Sequence, residues 1–258
     1  LLLPHDELGS GRPVVLLHAR PADRTMWRRH LPLLAAAGFR AVALDLPGHG
    51  AAVLPAHHTA PPADDVLETL GHLGIDRFDI AGNSLGALVA LQIAAAAPDR
   101  VRSLVAIGYR RHDQPQTDGF AAALRRERDR LAADDLEGAV QAGVQAWVSP
   151  DASPAVKEHA ATMMRGNLHL RRAHGEPPRA DDPDPRRLRP LAGRMLVVVG
   201  AQDFPDFVTG GEALLEGTGA GGLVVAPGAA HLVPLDQPEW TCGLLQGFLR
   251  HSQDSRES

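Results

Sequence analysis

Phe78-Asp-Ile-Ala-Gly82-Asn-Ser84-Leu-Gly86 decides the reading of this chain, together with the Ala-rich run that follows it to Ala97 and the proline at 98. A short apolar run, Phe78–Ala81, leads into a Gly-x-Ser-x-Gly pentapeptide. The pentapeptide in turn opens a stretch of helical length, Leu85–Ala97, which Pro98 ends. A serine between a strand and a helix must sit at the tip of a sharp, strained turn. Gly82 and Gly86 lack the side chains that would collide across such a turn. The start of the helix also presents free N–H groups and a positive dipole end beside the serine hydroxyl. An inert serine in a tight strand-to-helix turn would leave the same pentapeptide, so the reading depends on partners elsewhere in the chain.

Working outward, apolar runs at Val14–Leu17, Ala41–Leu44, Leu104–Ile107, Leu196–Val199 and Leu223–Val225 have the length and turn-residue boundaries of buried parallel strands. Helical stretches separate most of them. This alternation predicts an α/β domain with a mostly parallel open sheet flanked by helices, and ligands beyond the carboxyl ends of its strands. It breaks once, between about Tyr109 and Pro190, where helical patterns at Phe120–Leu131 and Leu136–Trp147 follow one another without an apolar strand. The expected organisation is therefore a core of residues 1–108 and 191–258 with a helical cap inserted at 109–190. The Pro-rich stretch Glu176–Pro185 forms the return linker. Gly217–Gly222 has the composition of a phosphate loop but precedes a strand where a dinucleotide fingerprint must follow one, so no cofactor site is assigned there.

A serine hydroxyl needs a base to take its proton and an acid to orient that base. His231 follows the Leu223–Ala226 strand and the turn Pro227-Gly-Ala-Ala, and is the expected base. Asp203 is the first acidic residue after the strand that ends near Gly200, and is the expected acid. Asp206 is its rival across Phe204-Pro205. Among the other histidines, His57 and His58 lie in a polar stretch. His169 and His174 lack the spacing and carboxylate companions of a metal site, and no metal is expected. The net charge is −5, with 26 basic and 31 acidic residues among 258, and offers no footprint for a phosphate backbone, so nucleic acid is not an expected partner. No apolar run has membrane-spanning length. The single cysteine, Cys242, rules out an internal disulfide and favours a reducing compartment, hence a cytoplasmic location. The oligomeric state is not legible.

With Ser84, Asp203 and His231 in place, the chain resembles the α/β-hydrolase superfamily, specifically its small capped members related to enol-lactonases, esterases and cofactor-free perhydrolases. The likeness covers nearly the whole chain outside the cap. Leu17–Trp27 looks like the family's His-Gly segment, whose backbone supplies half of an oxyanion hole; by that resemblance the N–H groups of Arg20 and Leu85 hold the oxyanion. Asp45–Gly50 is similar to the family's Asp-x-Pro-Gly-x-Gly turn, and Gly228–Pro238 to its terminal Gly-x-x-His motif. The family gives His18 and His49 structural duties.

Two positions depart from the pattern. Ala19 stands where most relatives have glycine, and Arg20 where they often have an apolar residue facing the pocket. Arg20 either enters the pocket as a substrate contact or turns to solvent and pairs with Asp23. Trp147 is a further expected substrate contact; Trp27 and Met163 are alternative pocket walls, or simply core. What the resemblance implies is a cofactor-independent serine hydrolase acting on an ester, lactone or related carbonyl of a small molecule. The alternatives are a cyclase, lyase or cofactor-free oxygenase using the same triad, a carbon–carbon bond hydrolase, and a binding protein that has lost turnover. A serine nucleophile speaks against haloalkane dehalogenases and epoxide hydrolases, which carry aspartate in its place.

Overall fold

A computed structural model describes residues 1–178 and 181–257, with side chains through residue 250. Arg179 and Ala180, in the middle of the expected linker, lie outside the described residues. The sheet has seven strands: β1 (His5–Leu8), β2 (Arg12–Leu17), β3 (Phe39–Leu44), β4 (Phe78–Asn83), β5 (Val101–Ile107), β6 (Met195–Gly200) and β7 (Leu223–Ala226). Their spatial order is β1-β3-β2-β4-β5-β6-β7. β2 through β7 run parallel, and only the edge strand β1 is antiparallel, pairing His5 with Leu44. β1 leaves no apolar run in the sequence because His5-Asp-Glu-Leu is polar and mostly exposed, as an edge strand can be.

Strand periodicity accounts for two apolar layers. Along β2, Val14 and Leu16 bury on one face with α1 (His30–Ala36) and the last helix, while Val15 and Leu17 bury on the other with α2 (Pro62–His72) and α3 (Leu85–Ala96). Both faces being covered is why these strands read as continuous apolar runs rather than alternating ones.

Between β5 and β6 the chain forms α4 (Asp118–Ala132), α5 (Leu136–Trp147) and α6 (Pro154–His174). Each starts on a side chain that accepts a backbone N–H: Thr117 from Phe120 at 3.3 Å, Asp135 from Gly138 at 2.8 Å, and Ser153 from Val156 at 3.3 Å. The first two of these helices match the expected helical patterns, and α6 is an addition to them whose start Ser153-Pro154 marks. The chain returns through 3-10 turns at Pro185–Arg194 and continues as α7 (Pro205–Thr218), α8 (Val233–Asp236) and α9 (Pro238–Glu257).

Candidate active site

The carboxyl edge of the sheet brings the expected residues together. Ser84 leaves the end of β4, Asp203 follows β6, His231 follows β7, and the loop His18–Arg20 follows β2. Ser84 has φ 55° and ψ −109°, a conformation that L-residues avoid and that must be enforced by its surroundings. The enforcement is visible. The Ser84 N–H donates to the Ile107 carbonyl at 2.7 Å. A Cβ on Gly82 would lie 2.1 Å from the Gly86 carbonyl oxygen, and one on Gly86 only 2.3 Å from that of Leu17, so neither position admits a larger residue. The intervening Asn83 is fully buried, and its amide donates to the carbonyls of Ile107 at 3.2 Å and His231 at 3.1 Å. The variable position of the pentapeptide thus ties the serine turn to the histidine loop, a role the motif alone does not reveal.

Asp203 accepts at 2.8 Å from Nδ1 of His231, and both side chains are buried. The other Asp203 oxygen accepts from the Phe204 N–H at 2.8 Å. A carboxylate held in this way fixes the ring with Nδ1 protonated and leaves Nε2 as the free basic nitrogen. Asp206 is engaged elsewhere: its carboxylate accepts from the Thr117 N–H at 3.0 Å and the Thr117 hydroxyl at 2.5 Å, anchoring the start of α4. Asp203, not its rival, is the carboxylate in contact with the histidine. The His231 ring lies between Phe207, 4.1 Å away, and Trp147, 5.1 Å away between centroids. Phe120 stands edge-on to both Trp147 and Phe207, so an aromatic cluster from α4, α5 and α7 covers the histidine.

Ser84, Leu85 and His231 line a cavity of about 610 Å³ between the sheet edge and the helices inserted after β5. Trp147 lines it. Trp27 and Met163 do not: Trp27 is buried against His30, and Met164 rather than Met163 faces the cavity. A helix turns its side chains by about 100° per residue, and here that turn carries Met163 away from the cavity that Met164 lines.

Arg20 lines the cavity mouth and is about half exposed. The alternative pairing with Asp23 is not formed. Asp23 spends its carboxylate on the N–H and hydroxyl of Thr25, at 2.8 and 2.6 Å, while the Arg20 guanidinium lies 3.5 Å from Glu176. Both bonds fall on one Asp23 oxygen and cap the turn two residues along, a local use typical of aspartate.

The two loop histidines are neutral supports. The Leu46 N–H donates to Nε2 of His18 at 2.9 Å, so its Nδ1 must carry the proton toward the Ala19 carbonyl, also 2.9 Å away. Arg171 likewise donates to Nε2 of His49 at 3.2 Å. Burial lowers the pKa of both imidazoles. Asp45 sits fully buried in the adjoining turn, accepting from the N–H groups of Arg24 and Ala51 at 2.8 and 2.7 Å. Asn167 on α6 donates to the Ala22 carbonyl at 2.8 Å and accepts from the Gly50 N–H at 3.0 Å, clamping both loops to the helix.

Asp236 also escaped sequence reasoning, although it stands five residues after the histidine in the quoted terminal motif. Its carboxylate accepts from the N–H groups of Ala230 at 2.9 Å and Ser149 at 3.1 Å, joining the histidine loop to the end of α5. Burial pushes its pKa up to about 6, and the nearby Asp203 adds to the rise. Among the described residues, no group of three His, Cys, Asp or Glu side chains is arranged to hold a metal, and no helix is long and apolar enough to cross a membrane.

The profile of the alpha/beta hydrolase family matches residues 14–244, most of the chain. The chain belongs to the alpha/beta hydrolase family. Among solved structures, a thermophilic esterase from Thermogutta terrifontis superposes with a TM-score of 0.78 at 27% identity, covering 97% of this chain and 93% of that one. The enol-lactonase from Burkholderia xenovorans LB400 shares the α/β-hydrolase fold, with a TM-score of 0.72 at 21% identity and 96% coverage of both chains. Among curated proteins, an epoxide hydrolase 2 from Siraitia grosvenorii is 37% identical over 128 residues, 45% of this chain and 40% of its own length. The chain spans half or less of the first curated relatives it matches.

Proposed function

We propose that this α/β-hydrolase is a serine hydrolase of small-molecule esters or lactones that works through an acyl-enzyme on Ser84. The observation that carries the reading is the strained Ser84 turn sharing one cavity with the Asp203–His231 pair. In this mechanism His231 takes the Ser84 proton through Nε2 as the hydroxyl attacks the carbonyl carbon. Asp203 holds the ring and stabilises the imidazolium. The N–H groups of Arg20 and Leu85 receive the oxyanion, the latter helped by the amino end of α3. His231 then returns the proton to the leaving alkoxide, and water attacks the acyl-enzyme by the same route in reverse order.

The division into a core of residues 1–108 and 191–258 and a cap of 109–190 follows the same reading, with Trp147 and the side chain of Arg20 contacting the substrate. A serine at position 84 separates this chain from epoxide hydrolases, whose nucleophile is an aspartate. The buried lone cysteine fits a reducing compartment, the cytoplasm in this account.

A panel of 4-nitrophenyl esters and lactones of graded acyl size tests the proposal. At least one should be turned over, and Ser84→Ala should lower its kcat/KM by about three orders of magnitude or more without unfolding the protein. Turnover by that variant near the wild-type rate refutes the mechanism.

A further inference from the structure

The proposed mechanism uses Ser84, His231 and Asp203 and leaves the charges of the cavity wall unexplained. That wall carries four arginines, Arg20, Arg110, Arg128 and Arg171, against a single carboxylate, Glu127, in a chain whose net charge is −5. Two of the four, Arg20 and Arg171, come together where the loop after β2 meets α6. Arg171, on α6, is 8% exposed; its guanidinium donates to the Arg20 carbonyl at 2.9 Å and to His49 at 3.2 Å, so its position is fixed. The buried Nε–H of Arg171 has no hydrogen-bond partner among the described residues. The nearest acid to both guanidinium groups is Glu176, with one oxygen 3.5 Å from Arg20 and 3.8 Å from Arg171. Both distances are far longer than the 2.7–2.9 Å or so of a charge-assisted hydrogen bond. Glu176 is also 63% exposed, so it partners the two cations poorly.

We propose that Arg20 and Arg171 form an anion subsite at the mouth of the cavity, that the substrate carries a free carboxylate there, and that Glu176 occupies its place until the substrate displaces it. This deepens the hydrolase reading and rests on it for the word substrate. The chemistry of the subsite supports it. Burial and the neighbouring Arg20 charge lower the Arg171 pKa to about 10, a cost that a well-placed anion relieves. Of the carboxylates acting on Arg171, Glu176 outweighs Glu127. A carboxylate bound at normal distance could accept from the orphaned Arg171 Nε–H and from the planar Arg20 fork at once, which Glu176 does not achieve. An apolar remainder would then lie along Leu88, Phe120 and Trp147 toward Ser84.

Calorimetric titration with octanoate, and with octanamide as its uncharged counterpart, reads this subsite without any turnover. Its failure is thereby distinct from failure of the hydrolase reading, which the ester panel tests. Octanoate should bind more tightly than octanamide. Glu176→Gln should tighten octanoate by about two- to fivefold, the range expected for removing an exposed competing ion pair. Arg20→Gln should weaken octanoate by about tenfold, as expected for losing a hydrogen bond to a charged group. Both residues are exposed, so neither substitution disturbs the core. Octanoate binding no tighter than octanamide overturns the proposal. So does a Glu176→Gln protein that fails to gain affinity, or an Arg20→Gln protein that fails to lose it.

Discussion

Asp236 gives this fold a joint that weakens as pH rises, and Asp236→Asn exposes it. The carboxylate is mostly buried and binds the N–H groups of Ala230 and Ser149, and its pKa rises from 3.8 to about 6. For a carboxyl raised on folding, the native state holds its proton more tightly than the unfolded chain. Below pH 3.8 both states are protonated and nothing is lost. Between 3.8 and about 6 the unfolded chain ionises first, so native stability declines as pH rises, and above about 6 the loss is complete. At 1.36 kcal/mol per pH unit the span corresponds to on the order of 2–3 kcal/mol. The Asn variant cannot titrate. It loses some acceptor capacity toward the two N–H groups, and this gives an offset that does not vary with pH. Urea unfolding followed by circular dichroism, for both proteins between about pH 4 and pH 7, should show the wild type losing roughly 2–3 kcal/mol relative to the variant as pH rises. A difference that stays constant across that window, or that moves the other way, would refute the reasoning.

Asp203→Asn should lower turnover by about three to four orders of magnitude, because it removes the acid that holds His231, whereas Asp206→Asn should cost mainly about 1–2 kcal/mol of stability through the lost Thr117 contacts. Equal kinetic losses in the two variants would show that the acid is misassigned. Gly108→Ala places a methyl group 3.1 Å from Cε1 of His231 at a φ of +59°, and should lower kcat by about ten- to a hundredfold through a displaced ring, at a stability cost of about 1–2 kcal/mol. Wild-type kcat in that variant would show that the ring position is not critical.

The strands and the serine turn were legible because their signals are local. Buried parallel strands leave unbroken apolar runs, and a strand-to-helix serine needs glycine on both sides where the backbone closes to 2.1–2.3 Å. β1 was not legible, since a polar edge strand has no pattern of its own and is defined by its partner Ala41–Leu44. The choice between Asp203 and Asp206 depended on where Phe204-Pro205 sends the chain, and that is set by packing: Phe204 and Phe207 both meet Phe120. The sequence around Arg20 offers its neighbour Asp23, whereas the nearest acid comes from 156 residues away in Glu176. Asn167 and Arg171 sit four residues apart on one face of α6, a spacing that could have marked them as a pair. Their targets, Gly50, Ala22, Arg20 and His49, are backbone atoms and a ring in loops that no helical period reveals.

The most direct measurement of the central claim is reaction with a fluorophosphonate followed by peptide mass spectrometry. A serine activated by His231 should take up a single phosphonyl adduct, located on Ser84, and Ser84→Ala should take up none while keeping the wild-type circular dichroism spectrum. An adduct on another residue, equal labelling of the Ser84→Ala protein, or a folded wild type that does not react would contradict the account.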